Sequence, residues 1–313
     1  MLRVLVVGEV CEDIILHNPK SIPVLGENIW SEDITVTMGG SASYVATALA
    51  HLGLHVELWS TFGDDVTGSH LVQQISGYGV DCNFVKKIQG MDTTRCMVVC
   101  DSFRKKFIGC SPMLPMILPP EIRLDHTDIV YMAGYLLYPE LWREETFFFF
   151  LRKARIMGIP VMLDGQFLPI SSNPIKMARL SEVLPLTHTF FAAQKEARQL
   201  TGSILPDVAG KELLDMGVEY VVLKQGAEGC VVMSKDVTLK IPGHPVHAYD
   251  SVGAGDLFGA AYSYGLVNRW SIRTCAEFAT VFSALSLEKY KGFKKYPSIE
   301  EVSKTIEKNK EME

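Results

Sequence analysis

The chain has no Cys-x-x-Cys pair, no internal repeat, no low-complexity linker and no apolar run near the roughly 18 residues of a membrane span. Each absence narrows the field. Seven cysteines are scattered at positions 11, 82, 96, 100, 110, 230 and 275. Cys96 and Cys100 lie four apart, but no second Cys or His pair stands near them to complete a zinc set. All seven are therefore expected to be reduced, mostly buried thiols. A basic excess is also missing: 30 Lys and Arg face 36 Asp and Glu, for a net charge of −6. That argues against a general nucleic-acid binder. The opening run Met1 to Gly8 is broken by Glu9, Glu12 and Asp13, too soon for a signal peptide. A cytoplasmic protein with neither membrane nor nucleic acid as partner is expected.

What is present is enough apolar material for a full core. Hydrophobic residues make up 48% of 313 and charged residues 21%. Leu2 to Val7 reads as a buried first strand ended by Gly8. Gly39-Gly40 opens a helix through Ala42, Val45, Ala46, Leu49 and Leu52, stopped by Gly53. Val56 to Phe62 reads as a strand and Leu71 to Tyr78 as a helix. Later strands at Ile129–Met132, Pro160–Leu163, Phe190–Phe191, Tyr220–Leu223 and Cys230–Met233 alternate with helices near 140–157, 175–182, 195–201, 208–216, 256–267 and 272–290. This rhythm implies an α/β fold with a mainly parallel sheet covered on both faces. Two segments interrupt it, about 14–38 and 92–111. The first carries the alternating stretch Ile34 to Met38, and the second reads as a hairpin with a charged tip from Asp101 to Lys106. They are expected to pair into a small added sheet. Phe147 to Phe150 is read as part of a buried helix face.

The sharpest feature is Asp250-Ser-Val-Gly253-Ala254-Gly255-Asp256, at the start of a helix. Backbone N–H groups at a helix N-terminus favour anions, and the small residues let a phosphate come close. Asp256 in the first turn can accept a proton from a hydroxyl. Alone, the same residues equally describe an aspartate capping a helix after a tight turn, and a lone Gly-x-Gly is a weak signal.

The wider pattern bears on that choice. Asp250 to Asp256 resembles the Asp-Thr-x-Gly-Ala-Gly-Asp signature of the ribokinase-like (PfkB) carbohydrate and nucleoside kinases, and the likeness extends from about Val4 to Val302. Met38-Gly39-Gly40-Ser41, Gly63-Asp64-Asp65-x-x-Gly68, Gly8-x-x-x-x-Asp13, Glu196 and Lys224-Gln-Gly226-Ala-Glu-Gly229 fall in the family's order. The resemblance implies a single three-layer kinase domain over 1–313, with 14–38 and 92–111 forming a β lid. It implies Asp256 as catalytic base and Gly253, Ala254 and Gly255 as an anion hole. It also implies Asp13, Gly39 and Gly40 as acceptor contacts, and Glu196 acting through water on Mg²⁺. Lys224, Gly226, Gly229, Asp250 and Thr280 would line the ATP side, with a monovalent cation site near Asp250 and Val252 and a homodimer left open. No Gly-x-x-x-x-Gly-Lys-[Ser/Thr] loop is present, in keeping with a kinase that cradles phosphates another way.

Four positions depart from the family pattern. Tyr44 stands where an acceptor-binding asparagine is usual, as either an acceptor contact or helix packing. Ala193 replaces the asparagine of Asn-x-x-Glu. Asp164-Gly-Gln-Phe167 departs from Asp-Pro-Asn-x-Arg, with no arginine following. Lys224 stands for a common threonine, either pairing with phosphates or solvated at a strand end. The leading expectation is ATP-dependent phosphorylation of a hydroxymethyl group on a ribose-, fructose- or 2-keto-3-deoxygluconate-like sugar. A nucleoside kinase and a catalytically inactive sugar or nucleotide sensor are the alternatives.

Overall fold

Val4 to Val7 lie in β1 (Arg3–Val7), and in the computed structural model their side chains alternate between two cores. Val4 and Val6 face one and Leu5 and Val7 the other, all at most 3% exposed. A strand buried on both faces needs such a continuous apolar run. The structure describes residues 1–19, 26, 28, 30–31, 33–100, 105–117, 123–134, 141, 145–166, 174–248, 251–289 and 296–312.

Two segments that follow β1 leave the main sheet, β2 (Cys11–His17) and β3 (Asp33–Gly39). They join β6 (Arg95–Cys100) and β7 (Lys105–Ser111) in a small sheet of order β3-β2-β6-β7. The main sheet adds β4 (His55–Gly63), β5 (Val85–Ile88), β8 (Ile129–Ala133), β9 (Val161–Asp164), β10 (Thr189–Ala193), β11 (Tyr220–Lys224), β12 (Cys230–Met233) and β13 (Thr238–Ile241). Its order is β13-β12-β11-β10-β9-β8-β1-β4-β5. Every neighbouring pair is parallel except β11–β12 and β12–β13.

Helices cover both faces. α1 (Ser41–His51), α2 (Val66–Gly77), α7 (Ala254–Val267), α8 (Ile272–Lys289) and α9 (Ile299–Met312) supply the core on the side of Val4 and Val6. α3 (Glu145–Ile156), α4 (Pro174–Val183), α5 (Gln194–Thr201) and α6 (Pro206–Asp215) supply the other. Phe147, Phe148 and Phe150 are buried in that second core while Phe149 is exposed, as expected of a helix face. Among the described residues, no helix is long and apolar enough to cross a membrane.

Several findings differ from the sequence reading, the strands β5 and β13 among them. Cys96 and Cys110, directly opposite on β6 and β7, form a disulfide, against the expectation of reduced thiols. Residues 11–17, not read as a strand, form β2, because Cys11, Asp13, Ile15 and His17 turn to the interior while Glu12, Ile14 and Leu16 are half-buried. The unpredicted α9 starts at a reciprocal cap: Ser298 N–H donates to Glu301, and Glu301 N–H donates to Ser298 Oγ.

The Gly63-Asp64-Asp65-x-x-Gly68 segment joins the two sheets. Asp65 caps α2 by accepting from Gly68 N–H at 2.8 Å, and also accepts from Thr93 N–H at 3.0 Å and Thr93 Oγ1 at 2.5 Å. Thr93 stands just before β6, so one carboxylate pins the entry to the small sheet onto the main one. Burial alone would raise the Asp65 pKa, but the Thr93 hydroxyl and the two amides outweigh it and hold it below its ordinary value.

Candidate active site

The parallel strands β9, β10 and β11 end at Asp164, Ala193 and Lys224, so these residues share the carboxyl edge of the sheet. Ligands of open α/β sheets bind at that edge. Glu196 enters from the first turn of α5, and Asp256 from the first turn of α7.

At the start of α7, the N-cap Gly253 is left-handed at φ 77° and ψ −8° and has no side chain to cap the helix. The N-terminus of such a helix carries a partial positive charge. Gly255 is close to Lys224: an added β-carbon would stand 3.1 Å from Nζ. Ser283 Oγ on α8 donates to Ala254 O at 2.8 Å and fixes the turn from behind. One turn on, Gly259 lets the helix settle against the Tyr131 phenol of β8.

Lys224 Nζ donates to Asp164 Oδ2 at 2.8 Å, with the two side chains 15% and 3% exposed. Burial pushes the Lys224 pKa down, but Asp164, then Glu196, then Asp256 more than offset it and hold the ammonium charged. Burial likewise raises Glu196, only partly countered by Lys224; its carboxylate accepts Ala193 N–H at 2.6 Å. Burial, then Asp164 and Asp256, keep the Tyr131 phenol protonated, and it donates to Asp164 Oδ2 at 3.4 Å. Gln166, left-handed at φ 44°, donates from Nε2 to Asp256 Oδ1 at 3.2 Å.

Asp13, on the inner face of β2, is 3% exposed. Its Oδ2 accepts from Tyr44 OH and its Oδ1 from Cys11 Sγ, both at 3.4 Å. Burial, then the charge of Asp13, push the Cys11 thiol well above its ordinary pKa, so it donates as a thiol. The Asp13 carboxyl lies directly over Gly39, where a β-carbon would collide with it. Gly40 is left-handed at φ 86° and precedes α1. The Tyr44 ring lies against Gly253: an added β-carbon there would stand 2.7 Å from Cε1 and 2.8 Å from Cδ1. Tyr44 thus touches both the small sheet and the glycine turn.

Gly226 and Gly229 bracket the turn after β11, both left-handed, and Gln225 N–H donates to Gly229 O at 2.8 Å. Thr280 lies on α8 with Oγ1 donating to Ala276 O of its own helix at 2.8 Å. Asp250 and Phe167 lie outside the described residues. Asp256, Asp164, Lys224 and Glu196 come together electrostatically, and Asp13, Gly39, Tyr44 and Gly253 form one contact chain. The contact of Gln166 with Asp256 was not foreseen, although the departure from Asp-Pro-Asn marked its place.

Comparison with known proteins then decides the family. The model of the pfkB family carbohydrate kinases matches residues 1–298. The chain belongs to that family. As a pfkB-family carbohydrate kinase it is similar to the deoxyribokinase of Salmonella typhi, 23% identical over 98% of this chain and 100% of the relative. It is also similar to the 5-dehydro-2-deoxygluconokinase of Clostridium tetani, 25% identical over 99% of this chain and 94% of the relative. Among solved structures, the Arabidopsis thaliana ribokinase complexed with ribose and ATP superposes with a TM-score of 0.78. The identity is 21%, covering 98% of this chain and 99% of that one. The ribokinase-like fold of this carbohydrate kinase matches the architecture expected from its sequence.

Proposed function

We propose that this carbohydrate kinase transfers the γ-phosphoryl group of ATP to a hydroxymethyl group of a small sugar, with Asp256 as the general base. One observation carries the reading: the glycine turn at the N-terminus of α7 and the buried Asp13 carboxylate are joined through Tyr44. Asp13, Gly39, Gly40 and Tyr44 hold the acceptor. The amides of Gly253, Ala254 and Gly255 face the phosphoryl group as its charge redistributes. Asp256, steadied by Gln166, accepts the hydroxyl proton. Lys224, Gly226, Gly229 and Thr280 line the nucleotide side. The relatives named for deoxyribose and a deoxygluconate derivative support a sugar acceptor over a nucleoside.

The donor set fits Mg²⁺. Three carboxylates, Asp164, Glu196 and Asp256, act on the Lys224 ammonium, an oxygen-donor set of the kind Mg²⁺ takes. Glu196, raised by burial, favours a cation partner and would hold the ion through water. When bound, the ion offsets charge on the phosphate oxygens.

The small sheet serves as a lid, since its inner face carries Asp13 toward the acceptor. Its outer face carries a cross-strand row of Val36, Ile14 and Met97, with Val36 59% and Met97 42% exposed, which suits a second copy of the chain.

Replacement of Asp256 by Asn tests the central role. Turnover should fall by about 10²–10⁴-fold, with ATP affinity unchanged within a few-fold. A loss below about tenfold would remove Asp256 as the base.

A further inference from the structure

We propose that Lys224 supplies the fixed cation that neutralises the phosphoryl group during transfer, as a catalytic residue at Gly255 rather than only the counter-ion of Asp164. This deepens the phosphoryl-transfer reading and rests on it. In the family that the sequence resembles, a threonine is common at this position and an arginine is the more frequent end of the Asp164 segment. Here a lysine stands at the first, and no arginine follows Asp164-Gly-Gln-Phe167. The structure brings the substituted lysine to the reaction site. Its Nζ lies 2.8 Å from Asp164 Oδ2, and a β-carbon on Gly255 would stand only 3.1 Å from Nζ. The ammonium therefore lies against the glycine turn whose amides face the transferred group.

Its surroundings keep it aimed: the Lys224 side chain is 15% exposed and its ammonium donates to Asp164, itself 3% exposed. Tyr131 OH shares Asp164 Oδ2 with Lys224, and the Gln166 N–H donates to Oδ1, each at 3.4 Å. A buried ammonium with so few degrees of freedom needs little rearrangement when charge develops beside it. In the step itself, the sugar hydroxyl oxygen forms the new bond to γ-phosphorus and its proton passes to Asp256. The bond from γ-phosphorus to the β,γ-bridging oxygen breaks, and its electron pair leaves with ADP. Lys224 keeps its proton throughout and shares its hydrogen bonds between Asp164 and the equatorial oxygens.

The alternative role is structural: Lys224 neutralises a buried aspartate, and its loss leaves that charge unpaired. Two variants of the full chain separate these roles, Lys224→Met and the double variant Lys224→Met with Asp164→Asn, which removes both charges together. Calorimetry with MgADP, and with MgADP plus aluminium fluoride as a mimic of the transferring phosphoryl group, reads the outcome without any acceptor. In the unmodified chain the fluoride complex should bind more tightly than MgADP. In the double variant MgADP should weaken, since Lys224 and Asp164 belong to the nucleotide and Mg²⁺ side, and the fluoride complex should weaken by about 10²-fold more than MgADP does, the order of one oxyanion donor. Equal affinity of the double variant and the unmodified chain for the fluoride complex overturns the proposal, as does equal weakening of both ligands. Absence of any tightening by fluoride in the unmodified chain also overturns it. A chain that binds no MgADP at all instead overturns the ATP reading on which it rests.

Discussion

Gly253→Ala perturbs the point where the acceptor side and the phosphate side of the site meet. Gly253 is at φ 77°, where an L-residue costs about 1–2 kcal/mol. The new β-carbon would also stand 2.7 Å from Cε1 of Tyr44, which is only 8% exposed and has little room to retreat. Overpacking of that kind costs typically about 1–3 kcal/mol. Together the two effects should lower stability by about 2–5 kcal/mol, read as a shift in the midpoint of chemical denaturation. Tyr44 would be pushed from Asp13, so KM for the sugar should rise as well. The same substitution in a Tyr44→Leu background separates the two parts. The steric share should largely disappear, while the backbone share of about 1–2 kcal/mol stays. A Gly253→Ala variant as stable as the parent, or one whose loss is the same with and without the Tyr44 ring, would refute the packing of Tyr44 on this turn.

Other expectations follow from single contacts. Ala193→Asn should stabilise the chain by roughly 0.5–2 kcal/mol in denaturation, since Ala193 occupies the N-cap of α5 without a side-chain acceptor. No gain would mean that Glu196, which already holds the Ala193 N–H, satisfies the helix end alone. Asp65→Asn should destabilise the chain at neutral pH. Because the folded pKa of Asp65 is depressed, its contribution is present above the unfolded value near about pH 4 and is lost as pH falls through the folded value. The stability gap between variant and parent should therefore close in acid, and a gap that widens there would contradict the assignment.

Much of this site was legible in the sequence because its key parts are local. The glycine turn before Asp256 and the Gly39-Gly40 pair before α1 both write their geometry as an absence of side chains. The two interrupting segments could also be seen to stand apart, and they pair through β2 and β6. What was hidden depends on distant partners. Lys224 meets Asp164 across β10, sixty residues away, so its choice between a phosphate contact and a solvated strand end had no local answer. Gln166 reaches Asp256 over ninety residues. Cys96 lies near Cys100 by spacing, whereas the hairpin register sets it opposite Cys110. β2 was obscured because its inward side chains include Asp13 and His17, so the period-2 alternation does not look apolar. The start of α9 was readable, as Ser298 and Glu301 have the spacing of a reciprocal cap.

The most direct measurement is ADP formation from Mg-ATP by the full chain across a panel of pentoses, hexoses, deoxy sugars, sugar acids and nucleosides. Sugar-dependent ADP release, with the phosphate esterified to a hydroxymethyl oxygen of the product, is the predicted result. Sugar binding without turnover on any member, or turnover on nucleosides alone, would contradict it.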